Sequence, residues 1–262
     1  MEIVVDGKAV FAATGGKPLK PELPSIVFLH GAGMDHTVWT LQTRFFAHHG
    51  RNVLALDLPG HGRSEGPALS SIEDIADWVM RFLDAAHLDK AALVGHSMGA
   101  LVALDAASRA PQRIWALALL GAATRMPVHP DLLKAAKAGD HAAVDLVASW
   151  GLGRRAHLGG AQSPGAWMLT SAIRLLERSG DGVLGSDLAA CNDYTTAPEA
   201  AAKVTCPVLV IAGEIDRMTP VKGARDLAQR FLAARVVVVP GAGHMMMVEQ
   251  PDHTLDALAE AV

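Results

Sequence analysis

The stretch Gly95-His96-Ser97-Met98-Gly99 decides the fold, because it sets a serine among small residues between a strand pattern and a helix pattern. The apolar run Ala91–Val94 precedes it, and the helical pattern Ala100–Ala110 follows it. A sharp strand-to-helix turn is crowded, so the glycines leave space that side chains would otherwise fill. Such a turn raises the hydroxyl of Ser97 above the edge of a sheet. The pattern therefore predicts that Ser97 is a nucleophile and that the N–H of Met98, at the start of a helix, favours an oxyanion.

A serine hydroxyl is a weak nucleophile and needs a base. The chain has 12 histidines, so position must distinguish them. His244 ends the loop Gly241-Ala242-Gly243-His244, which follows the last predicted strand, Val236–Val239. A loop at that edge of a sheet can direct an imidazole toward Ser97. We therefore predict that His244 is the base.

The base in turn needs a carboxylate to orient it. Asp216 follows the predicted strand Val208–Ala212, and the carboxyl ends of strands are where open α/β sheets bind ligands. The chain order Ser97, Asp216, His244 is the order of nucleophile, acid and base in this type of fold. Glu214, two residues earlier, remains the alternative acid.

The segment His30-Gly31-Ala32-Gly33 follows another predicted strand, Ile26–Leu29. Its glycines allow backbone N–H groups to face a developing negative oxygen. We expect the N–H groups of Ala32 and Met98 to form the oxyanion hole, with Gly33 as the alternative to Ala32. His30, and His61 in a later loop, are predicted to have structural roles.

Short apolar runs alternate with helical spacing along most of the chain, which indicates a parallel sheet with helices on both faces. The predicted strands are Glu2–Val5, Lys8–Ala13, Ile26–Leu29, Val53–Leu58, Ala91–Val94, Ile114–Leu120, Val208–Ala212 and Val236–Val239. The alternation stops from Ala122 to Thr196, where only helical pieces are predicted. We expect a core of residues 1–121 and 197–262, with residues 122–196 inserted as a helical block.

Composition excludes several functional classes. Of the 262 residues, 50% are hydrophobic and the formal net charge is −4, so neither disorder nor a nucleic-acid surface is indicated. No apolar stretch approaches the roughly 18 residues of a membrane span, and the first residues lack the pattern of a secretory signal. We expect a cytoplasmic protein. Cys191 and Cys206 are expected to be ordinary thiols, with a bridge between them as the alternative.

These motifs together resemble the α/β-hydrolase fold superfamily, over almost the whole chain. The resemblance rests on His30-Gly31, Asp57-Leu58-Pro59-Gly60-His61-Gly62-Arg63-Ser64, Gly95–Gly99, Asp216–Pro220, Gly241–His244 and Glu249-Gln250-Pro251. It implies an eight-stranded, mostly parallel sheet with a helical cap inserted after the sixth strand. The block of residues 122–196 fits that cap.

Departures from the patterns of relatives narrow the chemistry. Relatives that open epoxides or remove halide carry aspartate at the position of Ser97, so the resemblance argues against chemistry through an alkyl-enzyme. Carbon–carbon hydrolases commonly place tryptophan directly after the catalytic histidine, where this chain has Met245. The alternative acid position after the sixth strand offers only Gly121-Ala122-Ala123, which leaves Asp216 as the acid.

The sequence thus predicts a serine hydrolase, specifically a carboxylesterase-like enzyme that cleaves small or medium esters. Neither a metal nor an organic cofactor is called for, and we expect a small-molecule ester as substrate and a monomer or homodimer. One alternative is a lactone or carbon–carbon bond hydrolase with the same triad. In that alternative Arg154 and Arg155 are candidates to hold a substrate carboxylate, but we expect them to be a solvated pair on the surface of the cap. Another is a non-catalytic, ligand-binding member of the fold.

Methionines cluster around the predicted catalytic loops, whereas aromatic residues are few. Methionine is flexible and polarizable, so we expect a soft acyl pocket that accepts varied substrates. The residues expected to line it are Met34, Met126, Trp150, Trp167, Met168, Met218 and Met245.

Overall fold

The structure is a computed structural model that describes residues 1–160, 162 and 167–262. Its strands form one sheet in the order β1-β2-β4-β3-β5-β6-β7-β8. They are β1 (Glu2–Val5), β2 (Lys8–Ala13), β3 (Ser25–Leu29), β4 (Asn52–Leu56), β5 (Ala91–His96), β6 (Ile114–Leu120), β7 (Val208–Gly213) and β8 (Ala234–Val239). The hairpin β1–β2 joins β4 antiparallel, and the remaining neighbours are parallel. The predicted eight-stranded, mostly parallel sheet is confirmed.

The described helices flank this sheet or lie between β6 and β7. They are α1 (Thr40–His48), α2 (Ile72–Ala85), α3 (Met98–Arg109), α4 (Pro130–Lys137), α5 (Ala142–Gly151), α6 (Arg154–His157), α7 (Met168–Glu177), α8 (Val183–Asp193), α9 (Ala197–Ala201), α10 (Val221–Ala228), α11 (Met246–Glu249) and α12 (Pro251–Ala259). None of them has the length and apolar character needed to cross a membrane.

The central strands read as continuous apolar runs because both faces of the sheet are covered. Every residue of β3, β4, β5 and β7 is buried. Helix α2 shows the complementary pattern, with one apolar stripe facing the sheet. It begins where the hydroxyl of Ser71 accepts the N–H of Asp74, because a helix start leaves backbone N–H groups without partners.

The end of β4 differs from the predicted strand Val53–Leu58. The strand ends at Leu56, and Asp57 is the first residue of the following loop. The carboxylate of Asp57 accepts hydrogen bonds from the N–H groups of His36 and Arg63. A buried carboxylate needs such donors, so the chain leaves the sheet at this residue.

Between β6 and β7 the described residues contain helices α4 to α9 and no strand. Helices α4, α5 and α7 correspond to the helical pieces that the sequence pattern predicts at Leu132–Ala138, Ala142–Trp150 and Met168–Ser179. The pattern does not predict α8. Residues 161 and 163–166 of this segment lie outside the described part of the chain. Because β3, β5, β7 and β8 run parallel, the loops that follow them meet at one edge of the sheet. That edge brings together the loops that carry the predicted site residues.

Candidate active site

Ser97 lies on a strained turn between β5 and α3. Its backbone has φ 54° and ψ −116°, an unusual conformation for a residue with a side chain. A Cβ on Gly95 would lie 2.1 Å from the carbonyl oxygen of Gly99, and one on Gly99 would lie 2.4 Å from that of Leu29. Both positions therefore require glycine, and the turn leaves Ser97 half-buried at the edge of the sheet.

His244 is held by a buried carboxylate. Its Nδ1 lies 2.8 Å from Oδ2 of Asp216, and both side chains are almost fully buried. The hydroxyl of Thr219 donates to the same oxygen at 2.6 Å, while the N–H groups of Met218 and Thr219 donate to Oδ1. Burial opposes the charge of Asp216, but the His244 ring and these hydrogen bonds lower its pKa to about 2. Asp216 is therefore ionised at neutral pH and fixes Nδ1 of His244 as the protonated nitrogen.

The other ring nitrogen of His244 is buried and has no hydrogen-bond partner among the described residues. Ser97 and His244 line the same cavity, so Nε2 is the nitrogen available to a hydroxyl there. The structure shows no hydrogen bond between the two side chains in the described part of the chain. In unliganded sites such bonds are often long and shorten only when substrate binds.

The loop of His244 is anchored by neighbouring elements. Gly151, at the end of α5, accepts the N–H groups of His244 and Met245. Nε2 of His96 donates to the carbonyl oxygen of His244 at 3.0 Å. Burial and the neighbouring His244 ring lower the pKa of His96 to about 3, so His96 is neutral. Glu249 also accepts the N–H of Gly243 at 3.0 Å.

Glu214, the alternative acid, is placed elsewhere by the structure. It is exposed, and its Oε2 accepts the N–H of Gly241 at 2.8 Å. This bond shapes the loop before His244, and Asp216 is the carboxylate that contacts Nδ1 of His244.

The loop after β3 passes directly beside Ser97. A Cβ on Gly31 would lie 3.3 Å from Cβ of Ser97. Neither the Ala32 N–H nor the Met98 N–H donates to an acceptor within the described residues. Both N–H groups are free to bind an oxyanion.

The Gly33 N–H, considered above as an alternative donor, is already used. It donates to Oδ2 of Asp187 at 2.8 Å, so the structure corrects this expectation. Asp187 lies on α8, a helix that the sequence pattern did not reveal.

A cavity of about 380 Å³ opens between these loops and helices α4, α5, α7 and α8. Most of its wall is aliphatic. The wall contains Met34, Met126, Trp150, Met218 and Met245 among the residues expected there.

The structure places the two other expected pocket residues outside this wall. The Trp167 side chain precedes α7 and is 56% exposed to solvent. Met168, the first residue of α7, is buried in the hydrophobic core. The sequence shows that these residues lie near a helix start but not which way they face.

Arg154 and Arg155 are both exposed, which agrees with the expected solvated surface pair. Arg154 and Arg155 line a separate surface groove and do not contact the cavity near Ser97. Arg217 lines the cavity itself, is exposed, and forms no salt bridge with the described residues. Its position directly after Asp216 is the sequence signal that could have indicated this.

One cluster has metal-ligand chemistry: Asp35, His36 and Asp57 bring ligand atoms within 4.8 Å of one another. These groups already bond to the protein. His36 Nδ1 lies 2.7 Å from Asp57, and Arg178 donates to Asp35 at 2.5 Å. Cys191 and Cys206 are free thiols. The cluster and the thiols therefore have structural explanations.

Comparison with known proteins agrees with this geometry. A family model described as the alpha/beta hydrolase fold matches residues 24–251. The chain is 30% identical over 253 residues to the pimeloyl-[acyl-carrier protein] methyl ester esterase of Aromatoleum aromaticum, with 87% of this chain and 94% of that protein covered. It is 25% identical over 245 residues to the (E)-2-((N-methylformamido)methylene)succinate hydrolase of Acinetobacter baylyi, with 89% and 88% covered.

A solved structure extends the likeness to nearly the full length. The enol-lactonase from Burkholderia xenovorans LB400 matches with a TM-score of 0.89 at 26% identity, over 99% of this chain and 98% of that one. The matched family model spans most of the sheet and all of the loops described above. The chain therefore belongs to the alpha/beta hydrolase fold family.

Proposed function

We propose that this hydrolase is a carboxylesterase-like serine hydrolase that cleaves small or medium esters through an acyl-enzyme. One observation carries the proposal. Ser97, Ala32 and His244 line one largely aliphatic cavity, and within the described residues the N–H of Ala32 and Nε2 of His244 have no hydrogen-bond partner, while a buried carboxylate orients the histidine. This is the set of groups that acyl transfer requires.

The reaction follows from these positions. Oγ of Ser97 attacks the ester carbonyl carbon while Nε2 of His244 takes the hydroxyl proton. The carbonyl oxygen becomes an oxyanion that accepts the N–H groups of Ala32 and Met98. The carbon–oxygen bond to the alcohol then breaks, and His244 returns the proton to the departing alcohol. Water, deprotonated by His244, attacks the acyl-enzyme and releases the acid and Ser97.

Asp216 stabilises each step at which His244 is positively charged. Its low pKa keeps it ionised, so the imidazolium formed during attack lies beside a buried negative charge. The carboxylate accepts a hydrogen bond from Nδ1–H of His244 throughout the reaction, and the proton stays on the nitrogen.

We further propose that residues 122–196 act as a cap over a core formed by residues 1–121 and 197–262. The segment between β6 and β7 supplies much of the cavity wall, including Met126 before α4, Val147 on α5 and Leu176 on α7. The core supplies Ser97 and His244. Substrate size and shape would then be selected mainly by the cap.

A lactone hydrolase is the second candidate. A lactone is an internal ester, so the same steps open it while the alcohol stays attached to the acid. The match to a structure named enol-lactonase supports this candidate, and the relative named methyl ester esterase supports the first. Arg217 at the cavity favours substrates of either kind that carry a carboxylate.

A direct test compares the purified protein with Ser97→Ala on p-nitrophenyl esters of graded acyl length and on lactones. We expect ester hydrolysis that disappears in Ser97→Ala and persists in Ser108→Ala, a control at the far end of α3. A preference for lactones would favour the second candidate. If Ser97→Ala hydrolyses esters at the wild-type rate, or if a fluorophosphonate probe leaves wild-type Ser97 unlabelled, the serine-hydrolase proposal is wrong.

A further inference from the structure

Asp187 connects the cap to the loop that carries the oxyanion donor. Its side chain is fully buried on α8, yet its Oδ2 accepts the N–H of Gly33 at 2.8 Å. The same oxygen lies 2.8 Å from Nε2 of His61, in the loop that follows β4. One carboxylate oxygen therefore joins three segments that are distant along the chain.

The contacts of His61 define its charge. Its Nδ1 lies 3.0 Å from the carbonyl oxygen of Pro59, and its Nε2 faces Asp187. Both partners are acceptors, so the ring must donate from both nitrogens and is an imidazolium. Burial opposes this charge, but the hydrogen bond and charge of Asp187 raise the pKa of His61. The neighbouring ring of His30 has its pKa lowered to about 4 by burial and by His61, so it stays neutral.

The ion pair is retained at a cost. Oδ1 of Asp187 is buried and has no hydrogen-bond partner within the described residues. A buried carboxylate with an unsatisfied oxygen lowers stability compared with an apolar residue of similar size. A role for the carboxylate in function would explain its presence under the cap.

The surroundings of Gly33 indicate what that role is. A Cβ on Gly33 would lie 2.9 Å from a methyl carbon of Leu184 and 3.2 Å from one of Leu176, so the loop packs directly on α8 and α7. The next peptide group toward the N-terminus carries the N–H of Ala32. Because peptide groups are planar and joined at one carbon, fixing the Gly33 amide restricts the direction of the Ala32 N–H.

We propose that Asp187, held by His61, is a positioning residue for the oxyanion hole. It binds the Gly33 N–H and so leaves the Ala32 N–H directed at the substrate oxygen. The cap thereby completes the oxyanion hole, in addition to enclosing the substrate. This inference rests on the proposed serine-hydrolase function.

The test compares Asp187→Leu with Asp187→Asn, with Asp193→Asn as the control. Leucine has the same branched arrangement of heavy atoms as aspartate, is somewhat larger and cannot accept a hydrogen bond, whereas asparagine is nearly isosteric and keeps an acceptor oxygen. Asp193 is exposed on the same helix, so its variant reports any general effect of charge on α8. The readout is the reaction of Ser97 with an alkyl fluorophosphonate, followed at saturating and limiting concentrations. In that reaction the Ser97 oxygen binds phosphorus, fluoride leaves, and the phosphoryl oxygen occupies the oxyanion hole.

We expect Asp187→Leu to lower the maximal phosphonylation rate by about 10²-fold, comparable to the loss of one oxyanion donor. The half-saturating concentration of the probe should stay within about threefold, because ground-state binding does not use the oxyanion hole. Asp187→Asn should recover part of the rate, and Asp193→Asn should match the wild type. A role in packing alone would instead favour leucine over asparagine at this buried position.

The outcomes separate the two proposals. If wild-type Ser97 is labelled and Asp187→Leu is labelled equally fast, the positioning role is wrong and the serine-hydrolase function stands. If Asp187→Leu and Asp187→Asn raise the half-saturating concentration of the probe but leave the maximal labelling rate unchanged, the positioning role is also wrong. If wild-type Ser97 is not labelled, the proposed function fails and the inference fails with it. Thermal unfolding of each variant confirms that the compared proteins are folded.

Discussion

Gly121 lies directly behind the ring of His244. A Cβ on Gly121 would lie 2.9 Å from Cε1 and 3.0 Å from Nδ1 of that ring. The end of β6 therefore supports the side of His244, and it can do so only because Gly121 lacks a side chain. Its φ of +60° also favours glycine.

The substitution Gly121→Ala should displace the His244 ring and lengthen its 2.8 Å contact with Asp216. Misplacement of a catalytic group by about 1 Å can lower the rate by about 10²-fold, and we expect a loss of kcat of that order. The measurement is steady-state hydrolysis of a p-nitrophenyl ester.

Gly139→Ala is the matched control. Gly139 has a similar φ of +68°, but a Cβ there would meet no atom within 4 Å. Both variants should lose about 1 kcal/mol of stability from backbone strain, while only Gly121→Ala loses activity. Equal kcat values in the two variants would show that Gly121 does not support His244.

Asp216→Asn tests which acid orients the base. An amide cannot accept the Nδ1 proton in the same way, so His244 adopts the wrong tautomer, and kcat should fall by about 10⁴-fold. Glu214→Gln keeps the acceptor for the Gly241 N–H and should retain wild-type kcat. A large loss in Glu214→Gln with activity kept in Asp216→Asn would reverse the assignment.

Arg217→Gln tests substrate charge. Because Arg217 lines the cavity and forms no salt bridge with the described residues, it is available to a substrate carboxylate. An exposed ion pair contributes up to ~1 kcal/mol, so KM for an ester with a distal carboxylate should rise up to about fivefold. KM for the neutral ester of equal length should not change.

Arg154→Gln is the control for this prediction, since Arg154 lies in the separate surface groove. It should leave KM unchanged for both esters. If Arg217→Gln changes KM equally for charged and neutral esters, Arg217 acts on cavity shape and not on charge.

Much of the fold could be predicted because it depends on local signals. The strands at the centre of a parallel sheet are apolar on both faces, and Ile114–Leu120 is found with its predicted bounds. The turn at Ser97 was also visible, because the crowding described above admits only glycine at Gly95 and Gly99.

Helix α8 and its Asp187 could not be predicted in this way. The buried residues of α8 spread over more than half of its circumference and include Gly185 and Asp187, so it lacks the narrow apolar stripe by which a helix is recognised. The partners of Asp187 are 154 residues away at Gly33 and 126 residues away at His61. Contacts at such separations depend on how the helices between β6 and β7 pack on the loops after β3 and β4, which no local pattern records.

The buried pair of His61 and Asp187 makes a prediction about stability and pH. The pKa of His61 is raised in the folded protein above its ordinary value of about 6.5. A raised histidine pKa contributes stability that is fully present below the unfolded pKa and is lost as pH rises through the folded pKa. The wild type should therefore be more stable relative to His61→Gln at about pH 6 than at about pH 9.

Urea unfolding of both proteins at the two pH values measures this difference. The other titratable groups near His61 are His30, Asp57 and Asp187, and comparison with His61→Gln removes contributions that are common to both proteins. Glutamine keeps a polar side chain in the loop, so the change isolates the charge of the imidazolium. A stability difference that is the same at both pH values would mean that His61 is not charged in the folded protein, and that Asp187 is held without an ion pair.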